Sequence, residues 1–382
     1  MRRLLLSLPQ NADYSSHPQV KEAAHSLCKK YLANQWSKAT PEKVKLKQIT
    51  GGTSNLLFLV SVDHPEHVRH APNQVLIRIN FSPDGANQWL TESVIFSQLS
   101  EQQIGPRLYG VFDQGRLEEY IPSRPLTTLE LFHEEFSTEI ACKLARIHKI
   151  NAPIEKDPSF IMACIGRWFQ GYLQVLNGAK VKVEVPEQSH NKSATVLEEN
   201  DFLKQIEFIR TALSRTNSKV TFCHNDLQEN NILHLNTPHR ENEKLIFIDF
   251  EYSCYNYRGY DIANHFDEHT INYTTPEYPY YHVYHDKEVD EEHMLRFCKN
   301  YLAEYDGIEP SEDEVKSLVD ETLPFMPVSD FFWAIWSLYM GETSPISFGY
   351  KIVHPGPVEG YGRGKRGEQV PGMSGKDYDA GD

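Results

Sequence analysis

The stretch His224-Asn225-Asp226-Leu227-Gln228-Glu229-Asn230-Asn231 is followed, after a polar loop, by Leu245-Ile246-Phe247-Ile248-Asp249-Phe250-Glu251. The second stretch is a short apolar run of the kind that forms a buried strand, and Asp249 comes at its end. Asp226 can accept the proton of an attacking hydroxyl group. Asn231 and Asp249 carry the hard oxygen ligands that Mg²⁺ prefers. Each residue alone is typical of a turn or a strand end, but their order and spacing together predict a phosphoryl-transfer site, in which His224 braces the loop.

The N-terminal half of the chain contains residues that a nucleotide site requires. Arg78, within the apolar strand Val75–Ile79, is expected to face the α- and β-phosphates, although an exposed arginine on a strand edge is the alternative. Glu92, near the start of the next helix, could pair with Arg78. Backbone groups are expected to contact the nucleotide at two places, a glycine turn that covers phosphates and the segment 118–121 that faces adenine. These residues are Gly51, Gly52, Thr53, Ser54 and Asn55 in the turn, and Glu119 and Ile121 in the segment.

The pattern of apolar and polar residues along the chain predicts an α+β protein. We expect a small β-rich N-terminal lobe and a larger, mostly helical C-terminal lobe. We place the N-terminal lobe at residues 1–122, the C-terminal lobe at 123–352 and a disordered tail, rich in glycine, at 353–382. In the first lobe, apolar alternation predicts strands near 44–46, 56–62, 75–79, 108–112 and 116–120, and helices near 20–34 and 90–101. In the second lobe, Ser137 is expected to cap a helix, and residues 177–200 and 235–244 are expected to be exposed loops.

Composition limits the class of function. The 382-residue chain carries a formal net charge of −15, which argues against a general nucleic-acid binder because phosphate backbones attract basic surfaces. Its 6 cysteines are widely spaced, which favours a reducing compartment over a disulfide or zinc framework. No stretch approaches the ~20 apolar residues of a membrane span. We therefore expect a cytoplasmic protein without stable membrane insertion.

These motifs resemble the choline/ethanolamine kinase family from about Leu46 to Tyr350. The likeness is most specific at His224–Leu233 and at Ile248–Phe266, which reads IDFEYSCYNYRGYDIANHF. General protein kinases are less similar, because they have arginine at the position of Asn225 and Asp-Phe-Gly at 249–251. The resemblance implies a protein-kinase-like two-lobed fold, ATP as the phosphate donor with Mg²⁺, a choline or ethanolamine hydroxyl as the acceptor, and a homodimer.

The resemblance also implies where the amino alcohol binds. In the family, the ammonium group lies in an aromatic pocket with acidic residues at its rim. A quaternary ammonium group has no N–H to donate, so ring faces and carboxylates must provide selectivity. Trp333 and Trp336 are three residues apart and would share one helix face, for which ordinary core packing is the alternative. The positions that match the family's pocket are Gln228, near the hydroxyl end, and Tyr252, Glu268, Tyr273, Trp333 and Trp336.

The chain departs from the family pattern at two places. His269 stands where the family usually has tryptophan. Val353 stands where the family has a further aromatic residue, and the sequence after Tyr350 departs from the family pattern. A splice variant or a mispredicted final exon would explain this second departure. Two alternatives to a choline or ethanolamine kinase therefore stay open. One is a kinase for another small alcohol, such as an aminoglycoside-like or sugar substrate. The other is a catalytically weak scaffold or partner subunit.

Overall fold

The computed structural model describes residues 1–8, 13–32, 34–49, 55–63, 72–80, 85–113, 115–185, 195–239, 243–284, 286–344 and 348–350. The chain forms two compact units. Unit 1 comprises Met1–Arg124 and Leu233–Glu251, and unit 2 comprises Pro125–Ile232 and Tyr252–Asp382. In this division residues 233–251 belong to the first unit, whereas the predicted lobes are continuous in sequence. The C-terminal tail from 351 onward, including Val353, and residues Gly51–Ser54 lie outside the described residues.

Unit 1 is built on a five-stranded antiparallel sheet with the strand order β1-β2-β3-β5-β4. Polar and apolar residues alternate along β1, where Val44 and Leu46 are buried and the lysines between and after them are exposed, as expected of a strand with one solvated face. The strands are β1 Val44–Ile49, β2 Asn55–Val62, β3 Gln74–Asn80, β4 Leu108–Phe112 and β5 Gly115–Glu119. All five strands predicted for this part of the chain are present.

Four helices complete the N-terminal part of unit 1. Helix α2 buries Val20, Ala24 and Cys28, which recur every four residues and therefore lie on one helix face. This face joins a core that also includes Trp36 and Phe58. The helices are α1 Arg2–Leu6, α2 Pro18–Leu32, α3 Asn34–Lys38 and α4 Gly85–Glu101.

The second segment of unit 1 is a hairpin where the sequence predicts a loop. Strands β10 (Ile232–His239) and β11 (Glu243–Phe247) join β6 (Ser123–Pro125) in a three-stranded sheet. The backbone N–H of Asn236 donates to the carbonyl of Pro122 at 3.0 Å. Asn236 and Thr237 on β10 are exposed, so the polar composition of this strand resembles that of a loop.

Unit 2 is mainly helical. Its α-helices are α5 Glu134–His148, α6 Phe160–Leu176, α7 Glu199–Arg215, α8 Arg258–Asp267, α9 Glu291–Asp306, α10 Glu312–Thr322 and α11 Met326–Thr343. Three antiparallel strand pairs accompany them: β7 (Lys182–Val185) with β8 (Thr195–Glu198), β9 (Val220–Cys223) with β12 (Cys254–Tyr257), and β13 (Ile271–Asn272) with β14 (His282–Val283). The predicted loop at 177–200 therefore contains a hairpin and the start of α7.

Local signals in the sequence account for several helix ends. Ser311 and Glu314 form a capping box at the start of α10, in which each side chain accepts from the other residue's backbone N–H. Helix α9 ends at Gly307, whose φ of 72° is readily adopted by glycine. The prediction for Ser137 is wrong, because α5 begins at Glu134 and Ser137 lies inside it. The Ser137 hydroxyl instead lies 3.0 Å from Nε2 of His293.

The core of unit 2 is an aromatic-rich cluster contributed by α6, α7, α8 and α11. Trp168 packs edge-on against Phe332 with ring centroids 4.9 Å apart, and Phe169 contacts Phe202 at 5.7 Å. Burial of such rings supplies much of the hydrophobic stabilisation of a domain. Among the described residues, no helix is long and apolar enough to cross a bilayer.

Gly259, in the first turn of α8, provides a test of this packing. A Cβ atom there would lie 2.8 Å from the Phe325 ring and 2.9 Å from the carbonyl oxygen of Glu321. We expect Gly259→Ala to lower the free energy of unfolding by about 1–3 kcal/mol through overpacking, as measured by urea denaturation. Gly166→Ala is the matched control, because a Cβ atom there meets no described atom within 4 Å outside its own helix. The control should raise the free energy of unfolding by about 0.5–1 kcal/mol, and equal effects of the two changes would contradict this account.

Candidate active site

Asp226 and Asn231 contact each other in unit 2. The loop that carries them follows β9 and ends in a short 3₁₀ helix, Glu229–Asn231. The amide nitrogen of Asn231 donates to the backbone carbonyl of Asp226 at 2.8 Å and to its carboxylate at 3.0 Å. Gln228 caps the 3₁₀ helix by accepting from the N–H of Asn230 at 2.9 Å. The fold therefore brings together two of the three predicted catalytic residues in this unit.

The backbone that precedes Asp226 is held by a buried carboxylate from α8. Asp261 accepts from the backbone N–H of His224 and from that of Asn225, both at 2.7 Å. Its Oδ2 atom also lies 2.9 Å from Nε2 of His148, whose other ring nitrogen lies 2.7 Å from the hydroxyl of Tyr301. Burial alone would raise the pKa of Asp261, but the hydrogen bonds and the charge of its partners hold this pKa below its ordinary value. We call this set of contacts the Asp261 anchor.

Asn225 explains why asparagine stands directly before Asp226. Its φ of 66° is left-handed, a conformation that asparagine tolerates better than most residues. Its amide nitrogen donates to the carbonyl of Tyr252 at 2.9 Å, and its amide oxygen accepts from Asn256 at 2.8 Å. The side chain thus uses both ends of its amide group to hold the turn.

An aromatic group lies in the same unit. The ring centroids of Tyr252 and Trp333 are 5.5 Å apart, those of Trp333 and Trp336 are 5.6 Å apart, and those of Trp336 and Tyr350 are 5.6 Å apart. Each pair is close to perpendicular or steeply inclined, so ring faces are not covered by stacking. The indole N–H of Trp333 donates to the side-chain oxygen of Asn264 at 2.6 Å, which fixes its orientation. We call these four rings the aromatic group.

Two buried acids, Glu229 and Glu268, lie near each other in the same unit. The carboxylate of Glu229 accepts from the backbone N–H of Tyr273 at 3.0 Å, and the side chains of Tyr273 and Glu268 are hydrogen-bonded. Burial raises the pKa of Glu229 to about 7. Burial, with the nearby Glu229, raises the pKa of Glu268 to about 8. One carboxylate oxygen of each glutamate is buried without a hydrogen-bond partner among the described residues.

His269, the first departure from the family pattern, lies inside the core of unit 2. It is fully buried, and its ring packs edge-on against Phe132 with centroids 4.8 Å apart. His265 and His293 lie beside it, at centroid distances of 4.8 and 5.3 Å. Burial lowers the pKa of His269 well below its ordinary value. The residue therefore acts as a neutral aromatic ring at this position.

In unit 1, Arg78 lies on β3 within ion-pair distance of the third predicted catalytic residue. Its guanidinium group is 3.4 Å from the carboxylate of Asp249 and 3.5 Å from that of Glu118. Burial opposes the charge of Arg78, but Glu118 and Asp249 outweigh this effect and keep its pKa above its ordinary value. Asp249 also has a left-handed φ of 61°. The alternative of an exposed arginine on a strand edge is wrong, since Arg78 is only 6% exposed and β3 is the central strand.

The predicted pairing of Glu92 with Arg78 is replaced by a longer network. Glu92 pairs with Arg116 at 2.6 Å, and Arg116 pairs with Glu118 at 2.8 Å. Glu118 then reaches Arg78, so two buried arginines alternate with two buried glutamates. The register of β3 and β5 places Arg78 opposite Arg116. The carboxylate of Glu118 contacts both guanidinium groups and so offsets the repulsion between their positive charges. Burial alone would raise the pKa of Glu118, but the charges of Arg78 and Arg116, with their hydrogen bonds, hold this pKa below its ordinary value.

The segment predicted to contact adenine ends β5. The backbone N–H of Glu119 donates to the carbonyl of Arg107 at 2.9 Å, and its side chain accepts from the N–H of Arg107 at 3.1 Å. The N–H of Glu119 is therefore already engaged in the sheet. The carbonyl of Ile121 accepts from the hydroxyl of Ser123 at 2.8 Å. Asn55 begins β2, whereas the rest of the glycine turn lies outside the described residues.

Comparison with known proteins identifies the family. The family described as choline/ethanolamine kinase matches residues 46–354 of this chain. The chain belongs to the choline/ethanolamine kinase family. It is 40% identical over 377 residues to choline kinase A2 of Caenorhabditis elegans, covering 92% of this chain and 87% of that protein. It is 38% identical over 338 residues to the human choline/ethanolamine kinase, covering 87% of this chain and 82% of that protein.

A solved structure of the choline/ethanolamine kinase family has the same fold. The crystal structure of choline kinase from Cryptosporidium parvum aligns with a TM-score of 0.71, covering 89% of this chain and 94% of that chain at 23% sequence identity. At this identity the likeness supports the fold alone. The predicted protein-kinase-like architecture, with a β-rich first part and a mostly helical second part, is confirmed.

Several residues of this kinase that shape the candidate site were missed in the sequence analysis. Asp261 lies in the RGYDIANHF segment between Tyr260 and Ile262, and an acid between large apolar residues is a signal for a buried acceptor. Arg116 and Glu118 alternate on one face of β5, which could have indicated a charged network. Other missed residues are His148, Asn225, Glu229, Asn264, Asp330 and Tyr350. For these residues the partner is distant in sequence, so no local pattern reveals it.

The Asp261 anchor can be tested by Asp261→Asn. An amide group offers one acceptor where the carboxylate offers two, so at least one buried N–H loses its partner. We expect the free energy of unfolding to fall by about 1–3 kcal/mol and kcat to fall roughly 10²-fold through displacement of Asp226. The control is Asp320→Asn on the exposed face of α10, for which we expect changes within about 0.5 kcal/mol. Wild-type kcat in Asp261→Asn would contradict the role of the anchor.

Proposed function

We propose that the protein transfers the γ-phosphate of ATP to the hydroxyl group of choline, ethanolamine or both. The single observation that carries this proposal is the geometry around Asp226. Its carboxylate is held by Asn231 at 3.0 Å, on a loop whose backbone is fixed by Asp261. Asn225, directly before the candidate base, also donates to the backbone carbonyl of Tyr252, a residue of the aromatic group.

The aromatic and acidic side chains of unit 2 favour a cationic acceptor. A cation within about 6 Å of a tyrosine or tryptophan ring face is stabilised by about 1–2 kcal/mol when both are desolvated. Tyr252, Trp333 and Trp336 supply such faces. Glu268 and Tyr273 supply a buried acid and a hydroxyl group beside them, and Gln228 is proposed to lie near the hydroxyl end of the acceptor. A sugar or aminoglycoside would require more hydrogen-bonding groups than these rings offer.

The residues present fit a magnesium–nucleotide complex. The amide nitrogen of Asn231 is used by Asp226, which leaves its amide oxygen as the donor atom for a metal ion. Asp249 is about a third exposed and offers a carboxylate. We propose that these two residues are ligands of Mg²⁺. The bound ion would neutralise part of the negative charge of the phosphates.

We propose nucleotide roles for residues of unit 1. Arg78, permanently charged and paired with Asp249, is assigned to the α- and β-phosphates, and Glu92 supports it indirectly through Arg116 and Glu118. Backbone groups near the end of β5 and in the glycine turn are assigned to the nucleotide. These are Glu119, through its carbonyl, and Ile121 for adenine, and Gly51, Gly52, Thr53, Ser54 and Asn55 for the phosphates.

The proposed step at Asp226 is a proton transfer that accompanies phosphoryl transfer. The acceptor hydroxyl group donates its hydrogen bond to the Asp226 carboxylate, which orients the oxygen lone pair toward the γ-phosphate. As the new O–P bond forms, the bond from the γ-phosphorus to the β–γ bridging oxygen of ATP would break, ADP would leave, and the hydroxyl proton would move to Asp226. The hydrogen bond from Asn231 keeps the carboxylate oriented before this step. Positioning thus accounts for most of the expected catalysis.

We further propose that the protein acts in the cytoplasm and as a homodimer. The 6 cysteines are all free, which suits a reducing compartment. The homodimer is proposed from family membership, and its mass in solution can be measured by light scattering.

Asp226→Asn tests the proposed base. The substitution keeps the size of the side chain and an oxygen that can accept from Asn231, but removes the ability to take a proton. We expect kcat for choline or ethanolamine to fall by on the order of 10²–10⁴-fold, whereas ATP binding, measured by calorimetry with Mg²⁺, should change little. Near wild-type turnover in this variant would refute the assignment of Asp226, and Asp320→Asn serves as the control for handling and folding.

Trp336→Ala tests the aromatic group. Loss of one desolvated cation–π contact of about 1–2 kcal/mol corresponds to a roughly 5–30-fold rise in KM for the amino alcohol. The KM for ATP should stay the same. Trp336→Phe, which keeps a ring face, should restore most of the affinity. If the alanine variant lowers thermal stability but leaves KM unchanged, Trp336 serves the core and not the substrate.

A further inference from the structure

Glu268 is an acid whose buried surroundings contain no counter-charge. It is 4% exposed, and its Oε2 atom has no hydrogen-bond partner among the described residues. The groups that act on it are Glu229 from the catalytic loop, Asp330 from α11 and the hydroxyl of Tyr273. Asp267, its neighbour at the end of α8, is a further acid. Within the part of the chain that the structure describes, the ionisable groups that act on Glu268 are therefore all acids, and none of them is a cation.

A buried carboxylate without a cation is unstable as an anion. Transfer of an ionised carboxylate from water into a protein interior is so costly that the group pairs with a cation or takes up a proton. The two negative neighbours add repulsion to this cost. Burial and the nearby Glu229 accordingly raise the pKa of Glu268 to about 8, and burial with the nearby Asp330 raises that of Asp267 well above its ordinary value. In the free protein at neutral pH, Glu268 therefore carries a proton.

The position of Glu268 connects it to the aromatic group. Helix α8, which leads to Glu268, holds Trp333 through Asn264 at 2.6 Å. Asp330, which acts on Glu268, precedes Trp333 by three residues on α11 and so lies on the same side of that helix. Tyr273 joins Glu268 to Glu229 of the catalytic loop. A cation bound to the aromatic group would supply the positive charge that Glu268 lacks.

We propose that the substrate's ammonium group binds in exchange for a proton held by Glu268, an inference that rests on the proposed function. The balance is simple: one cation enters, and the proton of the Glu268 carboxyl group leaves to solvent, so the net charge of this buried region does not change. The exchange gives selectivity for charge. A neutral alcohol of the same shape cannot stabilise the ionised carboxylate. Loss of the proton from Glu268 therefore adds nothing to the binding free energy of such an alcohol.

The exchange predicts a pH dependence of affinity with a defined sign. With a pKa of about 8 in the free protein, Glu268 is about nine-tenths protonated at pH 7 and about one-tenth at pH 9. If the ionised form binds the cation, apparent affinity rises with the ionised fraction, by about tenfold between pH 7 and pH 9. Close to one proton should be released per cation bound at pH 7, and few at pH 9. Choline itself has no titratable proton, so any released proton comes from the protein.

The experiment is titration calorimetry of choline into the full-length wild-type protein with saturating magnesium–ADP. Heats measured at pH 7 in two buffers of different ionisation enthalpy give the number of protons released. We expect about 0.9 protons for choline and none for 3,3-dimethylbutan-1-ol, the neutral isostere in which carbon replaces nitrogen. Equal proton release with both ligands, or none with choline, would overturn the exchange. If only ethanolamine is turned over, it replaces choline, with propan-1-ol as its neutral isostere.

Two variants locate the proton. Glu268→Gln should bind choline more weakly, with much less proton release than the wild type, and should lose most of the tenfold rise in affinity between pH 7 and pH 9. Asp330→Asn removes a negative neighbour of Glu268, so the midpoint of proton release should move to lower pH. Undiminished release in Glu268→Gln would overturn the assignment to this residue. If the variants fail to fold, the comparison of choline with its neutral isostere still decides the question in the wild-type protein.

The outcomes separate this inference from the proposed function. Binding and phosphorylation of choline or ethanolamine without proton release leaves the proposed kinase activity intact and removes the exchange. Absence of turnover with either amino alcohol removes the proposed function and the exchange with it.

Discussion

The candidate active site of unit 2 depends on one buried carboxylate, that of Asp261. Two successive peptide N–H groups, of His224 and Asn225, donate to it at 2.7 Å, and these bonds hold a left-handed turn immediately before Asp226. Hydrogen bonds to a charged acceptor contribute about 1.5–3 kcal/mol each, enough to hold a conformation that would otherwise compete with others. Helix α8, which carries Asp261, also carries Asn264 and leads to Glu268. One helix therefore orients the candidate base, a tryptophan and a buried acid.

The two units solve the problem of buried acids in opposite ways. In unit 1, Glu118 lies between Arg78 and Arg116, and its pKa is lowered despite complete burial. In unit 2, Glu268 is just as buried but has only acidic neighbours and a tyrosine, and its pKa is raised. The difference follows from the charge of the partners, since desolvation acts on both acids in the same direction. Glu118 already has its cationic partners within the protein. Glu268 has none among the described residues, so a cationic ligand can supply the missing charge.

Sequence reasoning succeeded where the signal is local. Alternation in 44–49 and the apolar run in 75–79 identified strands, and the spacing from Asp226 to Asn231 identified two side chains that do contact each other. It failed where a partner lies far along the chain. Glu92 was assigned to Arg78, but strand pairing places Arg116 nearer. Polar residues at 177–200 and 235–244 suggested loops, because a solvated hairpin and a loop have similar compositions. His269 replaces tryptophan in a buried ring cluster, and only the packing shows that it serves as an aromatic residue.

The chain leaves unit 1 at Arg124 and returns to it for Leu233–Glu251. The ion pair between Arg78 and Asp249 therefore joins two segments separated by all of the intervening part of unit 2. On a ribosome that adds about 5–20 residues each second, roughly 6–25 seconds pass between synthesis of position 124 and that of position 251. During this interval Arg78 lacks one of its two carboxylate partners, and the nascent first unit lacks a strand pair. Completion of this unit therefore waits for translation of the middle of the chain, and the ion pair of Arg78 with Asp249 can form only after the loop of Asp226 has been synthesised.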